Sequence, residues 1–296
     1  MRLAIAGAGT RGQAIARLLA GSGHNVLLLD ASADKARDAV ELVGQAMDRE
    51  IARWALTASE KKLFLARIQP ATRPEDLGES RVDALFECTP DEPDHKQRVL
   101  RELEEILPIS AAILITSTAI PSEEPARKAD RPGRLLGLSI PFPRPRGCTA
   151  ELVRHKETEP ATVELARRVL ASARISVLGT PESPASSAMR PLLSFVNEAS
   201  SMIETGMGSA EEVNRAMHLT LGMDMGPLEL ADRLGLDRVV AGLEILHRET
   251  GIGSFAPCEG LRKLVAAGHL GSRTGQGFFR YAGDGRRMDS SPGGTA

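Results

Sequence analysis

The chain has 296 residues, 42% of them hydrophobic and 26% charged, and Lys+Arg 37 against Asp+Glu 39 leaves a net charge of −2. At about 150 residues per domain this length predicts two domains, and the composition excludes fibrous and wholly disordered classes. The charge balance supplies no basic field for nucleic acid, and no apolar run approaches the ~18 residues of a membrane span, so neither partner is expected.

Leu3-Ala4-Ile5-Ala6 opens the chain as a short apolar run and meets glycines at once. That leaves no space for a secretory leader and predicts a cytoplasmic protein. Ala14 to Leu19 reads as a helix directly after the glycines, and Asn25–Leu29, Ala84–Cys88 and Ala111–Thr116 read as further strands. Continuous apolarity suits strands buried on both faces of a parallel sheet, and their alternation with helical stretches predicts a doubly wound α/β domain. Pro141-Phe142-Pro143-Arg144-Pro145-Arg146-Gly147 interrupts the pattern as an irregular loop. From residue 188 the character turns helical. Leu192, Leu193, Val196, Ala199, Ser200 and Ile203 share one face, Ser209 with Glu212 forms a capping box, and Pro227 starts a further helix. The division predicted is a sheet domain over 1–185, a helical domain over 186–282, and a disordered tail over 283–296. Cys88, Cys148 and Cys258 lie far apart with no CxxC, so neither a disulfide framework nor a metal site is signalled.

The strongest local signal is Gly7-Ala8-Gly9-Thr10-Arg11-Gly12, after a strand and before a helix. Gly7 permits the tight turn, Gly9 lets a pyrophosphate approach the backbone, and Gly12 lets the helix pack on the sheet. Asp30 ends the next strand, where a carboxylate accepts hydrogen bonds from the adenosine ribose and repels a 2′-phosphate. NAD is therefore favoured over NADP. Arg11 works the other way, as a cation beside the phosphates.

With these features and two C-terminal blocks in place, the chain resembles the NAD-dependent 3-hydroxyacyl-CoA dehydrogenase family from residue 1 to about 282. The resemblance rests on the glycine motif, on Glu87 through Lys96, on Met225-Gly226-Pro227-Leu228-Glu229-Leu230-Ala231-Asp232, and on Leu270-Gly271-Ser272-Arg273-Thr274-Gly275-Gln276-Gly277-Phe278-Phe279. It implies a Rossmann-type sheet followed by an all-α dimerisation domain, an NAD cofactor and a homodimer. The implied reaction oxidises the β-hydroxyl of an acyl thioester, or runs in reverse, with a Ser, a His oriented by a Glu, and an Asn. Three of those four roles are vacant in this sequence. The serine position falls on Ala119, with Ser117 the nearby hydroxyl, the histidine on Ser139, and the asparagine on Met189; the glutamate is kept as Glu151. Water between Ser139 and Glu151 would let the carboxylate act at a distance. Alternatively, Glu151 is a structural carboxylate paired to Arg154 or Arg144. His155, four residues past Glu151, reads as a solvated histidine at a strand end, and His24, His247 and His269 read as surface residues. Cys88 reads as a buried structural thiol.

By the same resemblance, Asp91, Lys96 and Arg273 belong to the cofactor site, and Arg53 matches a lysine that contacts CoA. Arg144 and Arg146 are cations where the family is apolar, and two guanidiniums on a proline-stiffened loop suit a carboxylate or phosphate. The expected substrate is a polar or anionic acyl thioester, on CoA or on an acyl-carrier protein. Two other readings stay open: a nucleotide-binding paralogue without turnover, and a changed reaction such as imine or conjugated-acyl reduction.

Overall fold

The computed structural model describes residues 1–288 apart from 72, 80, 118, 119, 144–147, 182 and 284. Two compact units emerge, Met1–Ser186 and Ser187–Ala296. The first runs β1 (Arg2–Ala6), α1 (Thr10–Gly21), β2 (Asn25–Leu29), α2 (Ala33–Ala52), α3 (Ala58–Leu65), β3 (Ile68–Pro70), α4 (Asp76–Glu79), β4 (Ala84–Glu87) and α5 (Pro93–Ile106). It continues with β5 (Ala112–Thr116), α6 (Glu123–Ala126), β6 (Leu135–Ser139), β7 (Cys148–Arg154), α7 (Pro160–Ser172) and β8 (Ile175–Thr180). One eight-stranded sheet results, in the order β3-β2-β1-β4-β5-β6-β7-β8. Its strands run parallel except where β7 pairs antiparallel with β6, placing Ser139 opposite Glu151 and Gly137 opposite Val153.

The continuous apolar runs are explained by burial on both faces. Leu3, Ile5, Phe86, Leu114 and Leu138 join one core with α1, α2 and α7. Ala4, Ala6, Leu85, Ile113 and Ile115 join the other with Leu100 and Leu103 of α5. Each fully buried Leu, Ile or Phe contributes about 1.5–3 kcal/mol, so both faces drive the sheet to form. The sequence reading did not anticipate β3, β6 or β8, and of β7 it gave only an end beside His155. It also placed His24 at the surface, yet His24 is buried with its Nε2 3.0 Å from the Ser172 hydroxyl. Desolvation, with the N-terminal amine and Arg67 adding to it, holds its pKa below the ordinary histidine value.

The second unit is helical: α8 (Met189–Glu204), α9 (Ala210–Leu221), α10 (Pro227–Leu234), α11 (Leu236–Thr250) and α12 (Glu259–Ala266). The capping box is formed, Ser209 and Glu212 each bonding the other's backbone N–H. Asp232, buried on α10, accepts the N–H groups of Phe278 and Phe279 and the Tyr281 hydroxyl, all at 3.0 Å. Gly271 and Gly277 are glycines because a Cβ on either would collide with Asp232. The two specific C-terminal blocks are therefore the two halves of one clasp. Desolvation, partly offset by these three donors, raises the Asp232 pKa to about 6. Among the described residues, no helix is long and apolar enough to cross a membrane.

Candidate active site

The strand order reverses between β1 and β4, the crevice where open α/β sheets bind ligands. Gly7 sits there at φ 99°, and a Cβ on it would lie 2.7 Å from the Cys88 carbonyl carbon, so the loops after β1 and β4 touch backbone to backbone. A Cβ on Gly12 would collide with the Gly7 carbonyl oxygen, whereas one on Gly9 meets nothing within 4 Å. Gly9 is also the N-cap of α1 and provides no side-chain cap, so the first-turn N–H groups and the positive end of the helix face an open approach. Asp30 accepts the Ala8 N–H at 2.7 Å and the Ala31 N–H at 2.8 Å. The carboxylate thus ties the glycine loop to the end of β2 and keeps further lone pairs for ribose hydroxyls. These residues fit a dinucleotide.

Arg11 does not stand near Asp30. Its guanidinium turns toward β4 and β5, 3.4 Å from Asp91 and 3.4 Å from both oxygens of Thr116. Burial disfavours its charge, but Asp91 outweighs that and the pKa is raised overall. The cation expected to weaken discrimination against NADP is therefore turned away from the ribose end. Beneath it, Lys96 and Glu87 are both fully buried and paired at 2.6 Å. The Lys96 ammonium also donates to the carbonyls of Thr116 at 2.8 Å and Thr89 at 3.1 Å, with Asp91 3.8 Å away. Three donors meet three acceptors, so Lys96 shapes the floor of the crevice. Glu87 and Thr116 were not singled out in the sequence, although Glu87 opens the stretch that carried the resemblance. Cys88 beside them is buried, and desolvation pushes its thiol up to about 11, as a structural cysteine requires.

Ser139 and Glu151, paired across β6 and β7, address one face of the sheet. Ser117, Ser122, Ser139 and Glu151 line a cavity of about 30 Å³ with Ile115, Leu138 and Val153. That volume suffices for one water molecule held by polar partners. Arg154 is no partner for Glu151 across the strand, because residues three apart on a strand point to opposite faces. His155 corrects the sequence reading: it is buried, its Nε2 2.8 Å from the Ser122 hydroxyl. Nothing in the stretch Pro121-Ser122-Glu123 marked that serine in advance.

Arg53 is exposed at the end of α2. Met189 begins α8 and is buried, and Arg273 pairs with Asp237 at 2.6 Å, both within the helical unit. Ala119, Arg144 and Arg146 lie outside the described residues.

The NAD binding domain of 3-hydroxyacyl-CoA dehydrogenase matches residues 2–178, and that family's C-terminal domain matches residues 188–281. The chain belongs to the 3-hydroxyacyl-CoA dehydrogenase family. A 3-hydroxybutyryl-CoA dehydrogenase of Bradyrhizobium diazoefficiens is 32% identical over 282 residues, covering 95% of this chain and 96% of the relative. The crystal structure of (S)-3-hydroxybutyryl-CoA dehydrogenase PaaH1 from Ralstonia eutropha is 31% identical, with TM-score 0.81 over 95% of this chain and 99% of that one. The structure of M. tuberculosis FadB2 gives TM-score 0.88 at 25% identity over the same shares of the two chains. This family member is an oxidoreductase of the 3-hydroxyacyl-CoA dehydrogenase type, and its cofactor is NAD.

Proposed function

We propose that this dehydrogenase interconverts a 3-hydroxyacyl thioester and its 3-oxo form, with its chemistry seated at the cavity that Ser139 and Glu151 share. NAD supplies the hydride acceptor. Gly7, Gly9, Thr10, Gly12 and Asp30 hold the adenosine and pyrophosphate portion, while Arg11 and Asp91, on the Lys96–Glu87 base, border the reactive portion. In oxidation the C3–H bond gives up hydride and the hydroxyl gives up a proton, and that proton must enter the protein. The cavity receives it: Ser117 and Ser139 orient a water, and the Glu151 carboxylate stabilises the positive charge that passes.

The observation that carries this reading is the register itself. Ser139 and Glu151 face each other across β6 and β7 at a cavity one water wide, so the lost imidazole leaves a polar space rather than an apolar plug. Arg144 and Arg146 in the sequence favour a polar or anionic acyl group on CoA or a carrier protein, and Arg53 and Met189 are assigned to substrate. Exposed Leu219 and Leu221 on α9 favour a homodimer through the helical unit. The decisive experiment incubates the purified protein with NAD or NADH and a panel of hydroxyacyl and oxoacyl thioesters of neutral and anionic character. Turnover fastest with an anionic thioester is expected. Cofactor binding without turnover on any member of the panel would instead make the chain a nucleotide-binding paralogue.

A further inference from the structure

We infer that the proton entering this cavity is carried by the Ser122 hydroxyl to His155, an acceptor two strand repeats along β7 from Glu151. The inference rests on the dehydrogenase reading above. Glu151, Val153 and His155 alternate along β7 and its first following residue, so all three address the same face of the sheet. Ser122 lies over that face between the two polar ends. It lines the cavity together with Ser139 and Glu151, and its hydroxyl meets His155 Nε2 at 2.8 Å.

Two features show that the contact is built. Ser122 occupies the N-cap position of α6, where a serine ordinarily accepts a first-turn N–H, yet it makes no side-chain cap. Its hydroxyl reaches the imidazole of His155. Gly137, in the middle of a buried strand, is the only residue type that admits it, because a Cβ there would collide with the Ser122 hydroxyl. Glycine weakens a strand interior and marks a close approach. The histidine backbone is fixed as well: its N–H donates to Thr158 Oγ1 at 3.0 Å, and that hydroxyl donates to the Leu135 carbonyl at 2.8 Å.

In oxidation, the substrate hydroxyl proton passes to Ser122 Oγ, directly or through the cavity water, as the Ser122 proton moves to His155 Nε2. The C3–H electron pair leaves as hydride for NAD, so the balance is ketone, reduced cofactor and an imidazolium. Burial lowers the His155 pKa below the ordinary value of 6.5, with Glu123 and Glu157 opposing the shift. The imidazole is therefore neutral at pH 7 and ready to accept. Glu151, facing the same cavity, steadies the passing charge.

The test is the pH dependence of kcat/KM, with solvent isotope effects, for wild type, His155→Gln, Ser122→Ala and Glu151→Gln. The relay predicts that His155→Gln and Ser122→Ala each lower kcat by about 10²–10³-fold with KM within about threefold. It also predicts that His155→Gln removes an acidic limb falling below pH 6.5, and that the wild-type proton inventory is curved, reporting more than one proton in flight. Wild-type turnover with an unchanged rate and profile in His155→Gln, or with a linear inventory, overturns the relay and leaves the dehydrogenase reading intact. Absence of wild-type turnover on every thioester removes both. The inventory needs no variant, so a poorly folding substitution does not protect the idea.

Discussion

The two ends of the crevice are built by different means. The β1–β2 end presents mainly backbone: glycines that make room, a helix N-terminus, and one carboxylate that also ties the loop. The β5–β7 end presents side-chain functional groups. Backbone recognition depends on a few glycines, so the motif survives as a unit. Side-chain chemistry can be exchanged one residue at a time, and here the groups are Ser117, Ser122, Ser139 and Glu151. Between the ends lies the Lys96–Glu87 pair, which belongs to neither and supports both.

That middle region offers the largest expected effect. Lys96→Met leaves the Glu87 carboxylate buried without its cation, which costs about 3–5 kcal/mol. Denaturant unfolding should show the loss in the sheet unit, with NAD affinity falling alongside it. If Lys96→Met unfolds at the wild-type midpoint, the two ends do not share a floor.

A smaller effect, in the helical unit, serves as a control outside the comparison. The folded-state pKa of Asp232 is raised to about 6 from an ordinary 3.8. The folded chain therefore keeps a proton that the unfolded chain has released between those values. This contribution is complete below pH 3.8 and is lost as pH rises through about 6, to the extent of roughly 2–3 kcal/mol. Asp232→Asn cannot titrate at this site. The stability difference between wild type and variant should then shift against wild type from pH 4 to 6.5, and stay flat above that. A flat difference throughout would mean the three donors, not burial, set the ionisation.

The sequence was informative where a signal is local and geometric. Gly7, Gly9, Gly12 and Asp30 were readable because turn, cradle and helix start each demand a particular residue type at a fixed spacing. The parallel core was readable from uninterrupted apolar runs. The pairing of β6 to β8 was not, because it is set by distant neighbours and includes one reversal beside a proline-rich loop. Ser122 and His155 were missed for a related reason. They are 33 residues apart in sequence, and what joins them is a glycine in the intervening strand, whose space becomes visible only once the sheet is assembled. The C-terminal blocks identified the family through Asp232 and its glycines, which hold a clasp.

The glycine end can be broken directly. Gly12→Ala drives a methyl into the Gly7 carbonyl oxygen, and the loop must shift. Overpacking of this kind costs about 1–3 kcal/mol, or roughly 10–100-fold in NAD affinity by calorimetry. The cavity at the β6–β7 end should be untouched, so turnover at saturating cofactor should fall far less than affinity. Equal losses in both would show that the ends are coupled.

The finest test separates the two duties of Asp30. Its charge repels a 2′-phosphate, and its oxygens hold the Ala8 and Ala31 amides. Asp30→Asn removes the charge but keeps one acceptor oxygen for the loop. A unit charge at about 4 Å is worth about 1 kcal/mol in water and more at a partly buried site, so the preference for NAD over NADP should narrow by about tenfold. Asp30→Ala removes both duties and should also weaken NAD itself, since the loop amides lose their acceptor. Because Arg11 is held by Asp91 on the far side of β1, it contributes little to NADP binding in either variant. If Arg11→Met changes the NADP affinity of Asp30→Asn, the guanidinium reaches the ribose end after all, and the division between the two halves of the crevice is less sharp than the hydrogen bonds indicate.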